Sequence, residues 1–457
     1  MAFILFKIQF LSLPYFWDES WVYTRAIYEM IEKGPSLLPG SINADLYTGH
    51  PLMFYFLSSL WMSVMGTDVT TAHIFPLILA CILFIIVYLI VNKTTNEPIL
   101  ASFASIIVAW QPVTLAQSGM MLSEILLTIF TLLSLYFFLK KQTFWMVFFM
   151  SCLILTKEAG IVMCLTLSMF GFLEALKTKK TGIVLKSISI YSSPFIVGFL
   201  FYLIQKIRLG WFFYPRHTGW IDLSLNSIFD KMSWSLTFIF SRQGRIIFIA
   251  IIAIYILLLL FKKIKFNQDY KSIFTILSTF IIIYILFCSI NFLSTRYLYS
   301  TIPAVIILIV IMCGSLFTKK NYYIIVMSLL CVFSFTMIPR SYKADISDVD
   351  LTYSSLVNVH SNMVKYCESK NLYNTHITTH FLMIEQLSHK TCGYLSGNEF
   401  SHVDASMDDD TKYLILSPVE RDFNLDELNK KFNITLEKKF KSGVAWCEIY
   451  KVSKKAL

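Results

Sequence analysis

Charged residues are scarce in this sequence: Asp, Glu, Lys and Arg make up 15% of its 457 positions. Water-soluble domains carry about a quarter. Together with 56% hydrophobic residues and a mean hydropathy of +0.63, the shortage excludes a solvated globule and a disordered chain alike. Cysteine occurs nine times but never as Cys-x-x-Cys, which indicates neither a zinc site nor a disulfide framework. Six of the nine (Cys81, Cys152, Cys164, Cys288, Cys313, Cys331) sit inside apolar runs and read as small core residues. Internal repeats and low-complexity stretches are missing. The first apolar stretch has no small-residue cleavage site and leads straight into further spans, so no cleavable signal peptide is expected. The net charge of +10 is not gathered into a basic patch on a polar face, which argues against nucleic acid as a partner.

Long apolar runs dominate instead. A membrane-crossing helix needs about 20 mostly apolar residues, and candidates lie at 69–91, 98–116, 121–139, 143–156, 160–176, 187–206, 246–261, 272–290, 300–317 and 321–338, with a weak opener at 2–16 that contains Lys7 and Gln9. The segment 52–66 is apolar enough to be another crossing, and counting it would reverse everything downstream. Lysine density decides. With 52–66 lying in the interface, the loops 92–97, 140–142, 177–186, 262–271 and 318–320 hold 13 Lys in 32 residues. The opposite loops (17–68, 117–120, 157–159, 207–245, 291–299) hold nine Lys and Arg in 107 residues. By the positive-inside rule the lysine-dense loops are cytoplasmic. The expectation is an all-α polytopic membrane protein of about eleven transmembrane helices in the cytoplasmic membrane, N-terminus inside and C-terminus outside.

From Arg340 onward the balance changes to 15 basic and 16 acidic residues, against 24 and 13 before it. Apolar periodicity predicts helices near 353–371, 380–389 and 424–433, and short strands at 375–379, 412–417 and 443–452. The expected division is therefore a membrane domain over 1–339 and a small α/β extracytoplasmic domain over 340–457. In the latter, His376 and His380 lack the context of a metal pair, Asp408-Asp409-Asp410 reads as a solvated loop, and Asn433-Ile434-Thr435 fits a glycosylation sequon.

Ionisable groups at membrane depth are costly and mark function by default. Asp18 and Glu19, in Phe-Trp-Asp-Glu-Ser-Trp, follow the opener directly. Two adjacent carboxylates can hold a divalent cation, or one can serve as a general base toward a hydroxyl. Read blandly, they only suit a helix N-terminus. Four more polar interruptions fall at what the topology makes the same face: His50 in Gly49-His50-Pro51, Glu124, Lys157-Glu158, and Arg296-Tyr297. Arg216 and His217 lie in the long loop of that face. For Arg242 and Arg245, interfacial anchoring is the simpler reading.

The segments WDES, GHPLMFYFL, MLSEILLTIFTLLSLYFFL, LTKEAG and TRYLYSTIPAVIIL, in this order, resemble the GT-C superfamily of polyprenyl-phosphate-sugar-dependent glycosyltransferases, in particular the protein O-mannosyltransferases and the aminoarabinose transferase of lipid A. The resemblance covers about residues 15–310, with a counterpart for the outer domain in the aminoarabinose transferase. It implies catalysis by Asp18 with Glu19 as its acidic neighbour, and substrate binding by His50, Glu124, Lys157, Arg296 and Tyr297; Arg216 and His217, from the long loop of that face, stand behind Lys157 and Arg296 as substrate-binding groups for the departing phosphate. His50 stands where the aminoarabinose transferase has Lys, and Glu124 where the named enzymes usually have Asp.

The implied partners are a polyprenyl-phosphate-linked sugar donor, a glycan, lipid or protein acceptor, and membrane lipids. No cofactor is certain, though a divalent cation is possible. In such a reaction a carboxylate takes the acceptor's proton while cations receive the departing phosphate, and a single displacement inverts the anomeric centre. The rival is a polytopic transporter or lipid-linked sugar flippase; the absence of repeated halves and the one-sided placement of the polar residues favour the transferase.

Overall fold

The computed structural model describes residues 1–316, 320–340, 345–419 and 423–455. The protein is a multi-pass membrane protein. Among the described residues six helices are long and apolar enough to cross: Val69–Thr95, Glu158–Lys177, Thr181–Leu209, Gln268–Ile290, Thr295–Leu316 and Tyr323–Arg340. Five shorter apolar helices accompany them: Met53–Met65, Pro98–Ala109, Glu124–Leu139, Thr143–Ile154 and Ile246–Leu260. Runs rich in Ile and Val become helices here because a chain in lipid must satisfy every backbone group within its own segment.

Several expected spans are shorter or broken. The opener forms only the seven-residue helix Ala2–Ile8, which is too short to cross at 1.5 Å per residue. The run 98–116 divides into Pro98–Ala109 and Pro112–Gln117, because Pro112 cannot continue a ladder that needs its amide. The long loop 207–245 contains the helix Leu225–Phe240, packed against Lys271–Ile290. The expected loop 318–320 and the boundary at 340 run into residues outside those described.

Burial separates a centre from a periphery. In Thr301–Leu316 nearly every side chain is covered, whereas Thr181–Leu209 buries only Pro194, Gly198, Phe201 and Gln205. The helices also share a polarity along their length: Glu124–Leu139 ends at Lys140 and Lys141, and Glu158–Lys177 ends at its lysine. Their acidic first residues are thus gathered at one end of the bundle and the lysines at the other.

Beyond the bundle, Thr352–Ser369, Phe381–Ser388 and Leu425–Lys431 are helical as the periodicity predicts. They pack on a five-stranded sheet of β1 (Ile377–Thr378), β2 (Val403–Asp404), β3 (Tyr413–Leu416), β4 (Phe432–Ser442) and β5 (Ala445–Lys454). The order is β2-β1-β3-β5-β4. β1 pairs parallel with β2 and β3, and β5 pairs antiparallel with β3 and β4. β2 and β4 were not expected from the sequence. β4 is an edge strand carrying Lys438, Lys439 and Lys441, the charged composition by which edges avoid further pairing.

Candidate active site

The first loop turns sharply before its carboxylates. Trp17 has φ +49°, a left-handed conformation rare for a bulky residue and retained only where the surroundings hold it. Trp17 and Trp21 pack edge-on against Phe381 of the C-terminal α/β region, with centroids 6.2 and 5.2 Å away. One π-helical stretch, Glu19–Tyr23, follows with Asp18 at its cap. The turn sends the two acids in different directions.

Asp18 faces a cavity of about 550 Å³ and accepts Trp21 Nε1–H at 2.9 Å through Oδ1. Its Oδ2 is ion-paired with Arg296 Nη2. The Arg296 side chain is buried and serves three acids: Nη2 holds Asp18, Nη1 holds Asp348, and Nε lies 3.4 Å from Glu124 Oε1, an ionic contact without hydrogen-bond geometry. Glu124 Oε1 also accepts Lys157 Nζ–H at 2.8 Å. The Lys157 ammonium sits 3.8 Å from the centroid of the Tyr297 ring. A continuous chain of charges thus joins Asp18 to Lys157 across more than a hundred residues of sequence.

A second cavity, of about 300 Å³, adjoins the first and is largely apolar, with Leu127, Phe213, Ile221, Tyr284, Phe287 and Phe292 in its wall and Glu124, Lys157 and Glu158 at its polar end. The two cavities share His50, Tyr214, His217, Trp220 and Tyr297. His50 Nδ1 lies 2.8 Å from Glu158 Oε2, and its ring is 5.0 Å from that of His217. Burial lowers the His217 pKa to about 4, against the pull of Glu158, so this imidazole is neutral at physiological pH. Arg216 lines the larger cavity with no acidic partner among the described residues.

Close backbone approach makes two glycines necessary. Gly49 has φ +73°, and a Cβ there would meet Tyr214 at 2.8 Å; at Gly160 it would meet the Leu153 carbonyl at 2.5 Å. These contacts set His50 and the Lys157-Glu158 turn beside the cavity.

Asp18, His50, Glu124, Lys157, Arg216, His217, Arg296 and Tyr297 therefore converge as the topology requires. Glu19 does not, which corrects its expected place beside Asp18. Its carboxylate is buried behind the loop, where Oε2 accepts Phe16 N–H at 3.0 Å and Oε1 accepts Met121 N–H at 2.5 Å. His73 Nε2 lies 3.0 Å from Glu19 Oε1, and His73 donates Nδ1–H to the Leu11 carbonyl at 2.9 Å. Because the carboxylates of Asp18 and Glu19 diverge, the pair does not form the oxygen cage a divalent cation needs. Among the described residues no group of three or more His, Cys, Asp or Glu side chains is arranged to hold a metal ion. Arg245 is corrected too: it is buried and caps Leu225–Phe240 by donating to the Phe238 and Ile239 carbonyls at 2.6 and 3.0 Å.

Asp348 was missed, since nothing in Ser-Asp-Val-Asp separates it from a surface loop. His73 had a readable signal, a lone histidine inside an apolar run.

Residues 15–205, less than half of the chain, match the family described as dolichyl-phosphate-mannose-protein mannosyltransferase. Among solved structures, ArnT from Cupriavidus metallidurans in its apo state superposes with a TM-score of 0.58 at 12% identity, covering 98% of this chain and 96% of that one. The chain shares the fold of ArnT. ArnT bound to undecaprenyl phosphate gives 0.57 at 13% identity, covering 98% of this chain and 97% of that one. No curated protein matches by sequence. The GT-C resemblance drawn from the sequence is borne out, and the helical bundle with its small C-terminal sheet is the architecture it implied.

Proposed function

We propose that the protein is a membrane glycosyltransferase that moves a sugar from a polyprenyl-phosphate carrier to a hydroxyl acceptor on the outer side of the cytoplasmic membrane. The observation that carries this reading is the placement of Asp18. It is a carboxylate open to the larger and more polar cavity, oriented by a buried arginine and linked through Arg296 and Glu124 to Lys157 at the polar end of the adjoining apolar cavity. The family match and the fold shared with a protein solved with undecaprenyl phosphate support the donor class.

The apolar cavity suits the prenyl part of the donor, with its phosphate toward Lys157 and the loop carrying Arg216. The polar cavity suits the acceptor. Asp18 Oδ1 and Oδ2 each keep a lone pair beyond the bonds to Trp21 and Arg296, so an acceptor hydroxyl can pass its proton to Asp18 as its oxygen bonds to the anomeric carbon. The bond from that carbon to phosphate breaks in the same step, and the phosphate leaves with the bonding pair. Cations held in a water-poor site stabilise that charge more strongly than they would in bulk. One displacement inverts the anomeric configuration. In this reading 1–339 is the catalytic domain and 340–457 an extracytoplasmic domain.

The test is transfer by purified protein in proteoliposomes containing undecaprenyl-phosphate sugars together with, in turn, a glycan, a lipid and a peptide bearing free hydroxyls, read as release of free undecaprenyl phosphate. Asp18→Asn abolishes release while insertion and thermal midpoint stay unchanged; full release by this variant would refute Asp18 as the base, and movement of the donor across the bilayer without release would favour a flippase. Single cysteines placed at Lys141 and Ser401 report orientation: an impermeant maleimide labels the second and not the first in intact cells.

A further inference from the structure

The chain that follows the last membrane helix returns to the site as a strap. Residues 345–351 cross the larger cavity and put Ile346, Ser347 and Asp348 in its wall. Two glutamines pin the strap to the bundle: Gln117 Nε2–H donates to the Asp348 carbonyl at 2.8 Å, and Gln243 Nε2–H to the Val349 carbonyl at 2.7 Å. Locally the strap is closed by Ser347 N–H on Thr352 Oγ1 at 3.0 Å and Thr352 N–H on Asp350 Oδ1 at 3.0 Å. Backbone anchors on both sides of one residue fix where its side chain points. That side chain is ion-paired with Arg296 Nη1.

We infer that Asp348 is a positioning residue for sugar transfer: it holds one edge of the Arg296 guanidinium so that the other edge orients Asp18 without taking up its basicity. The inference rests on the proposed role of Asp18. A guanidinium is a planar fork whose N–H groups cannot be turned independently, so fixing Nη1 on Asp348 fixes the direction of Nη2. The electrostatic part follows from counting partners. Glu124 is shared with Lys157, so without Asp348 the Arg296 charge would fall chiefly on Asp18, and an unopposed cation favours the ionised form of a carboxylate and makes it a weaker base. Burial raises the Asp348 pKa while Arg296 draws it down, so its charge depends on this pairing. The other titratable groups around Arg296 and Asp18 are Tyr23, Glu124, Lys157 and Tyr297, with His50, Arg216 and His217 across the cavity; the variants below leave all of them in place.

The experiment uses the full chain in proteoliposomes, with undecaprenyl-phosphate-linked glucose, mannose and aminoarabinose offered in turn against a glycan, a lipid and a peptide bearing free hydroxyls as acceptors, and the donor and acceptor that wild type consumes carried forward. Asp348→Asn is expected to lower kcat about tenfold to a hundredfold, leave the donor KM within about twofold, and shift the acidic limb of the kcat profile to lower pH. Asp348→Glu restores most of kcat and the limb. Unchanged kcat and limb in Asp348→Asn overturn the inference, as does a loss that follows only a lowered thermal midpoint with kcat per folded molecule intact. If wild type consumes no donor, the functional reading falls instead, so the two failures are told apart.

Discussion

Asp18 and Glu19 are neighbours in the chain and opposites in the structure. Asp18 keeps about a fifth of its side chain open to a cavity. Glu19 keeps 1% of its surface exposed and spends its oxygens on two amides and a histidine. A carboxylate sealed among donors that never leave it can only tie elements together; here it joins the first loop to the helix Val69–Thr95 and to the turn at Met121. The same group with one side open can exchange a proton with a substrate. Which task each acid receives is set by the left-handed Trp17 and the π-helical stretch after it, not by the residue type.

Loss of either acid should therefore fail differently. The largest effect is expected from Asp18→Asn, a fall in kcat of about a thousandfold, within the range that general-base groups supply, with folding unaffected. Glu19→Ala should do the reverse. It leaves two buried amides unsatisfied and His73 without its acceptor, and breaking such a buried pair costs about 3–5 kcal/mol; the thermal midpoint in detergent should drop while activity per folded molecule is retained. A collapse of kcat without loss of stability in Glu19→Ala would erase the contrast.

Asp350 extends the comparison to an acid with no cationic partner among the described residues. It is buried, with Thr352 as its one donor among those residues, and burial raises its pKa to about 6. Since this is above the unfolded value of about 4, the folded state holds the proton more tightly. The stability this contributes is complete below about pH 4 and lost as pH rises through about 6, by at most about 3 kcal/mol at 1.36 kcal/mol per unit. Asp350→Asn should remove that slope and raise the thermal midpoint at pH 7.5 but not at pH 4. An unchanged midpoint at both values would show that Asp350 is better solvated than its surroundings suggest.

Much of the site was legible because membrane chemistry is restrictive: Glu124, Lys157 and Arg296 are conspicuous in apolar runs, and the alternation of lysine-rich and lysine-poor loops places them at one end of the bundle before any coordinates are seen. Three things were not legible. The carboxylate directions at 18 and 19 depend on a backbone torsion that composition does not encode. Asp348 lies in an ordinary polar stretch and gains its role only through a contact with Arg296, 52 positions away. The true helix lengths at 98–116 and 2–16 depend on breaks that hydropathy averages over. In the C-terminal α/β region the helices and three strands follow their periodicity, whereas β4 was hidden because its outward lysines dilute the alternation.

The C-terminal α/β region is stitched to the first loop at several points. Arg25 pairs with Glu385 at 3.0 Å, Tyr15 N–H donates to the Cys392 carbonyl at 3.2 Å, and the Tyr394 hydroxyl donates to the Tyr15 carbonyl at 3.1 Å. Anyone building chimaeras to retarget the acceptor would have to transplant 345–351 and 381–394 together with residues 15–25 as one module. A splice at the bundle's last helix would exchange a tail on paper and dismantle the reaction centre in practice.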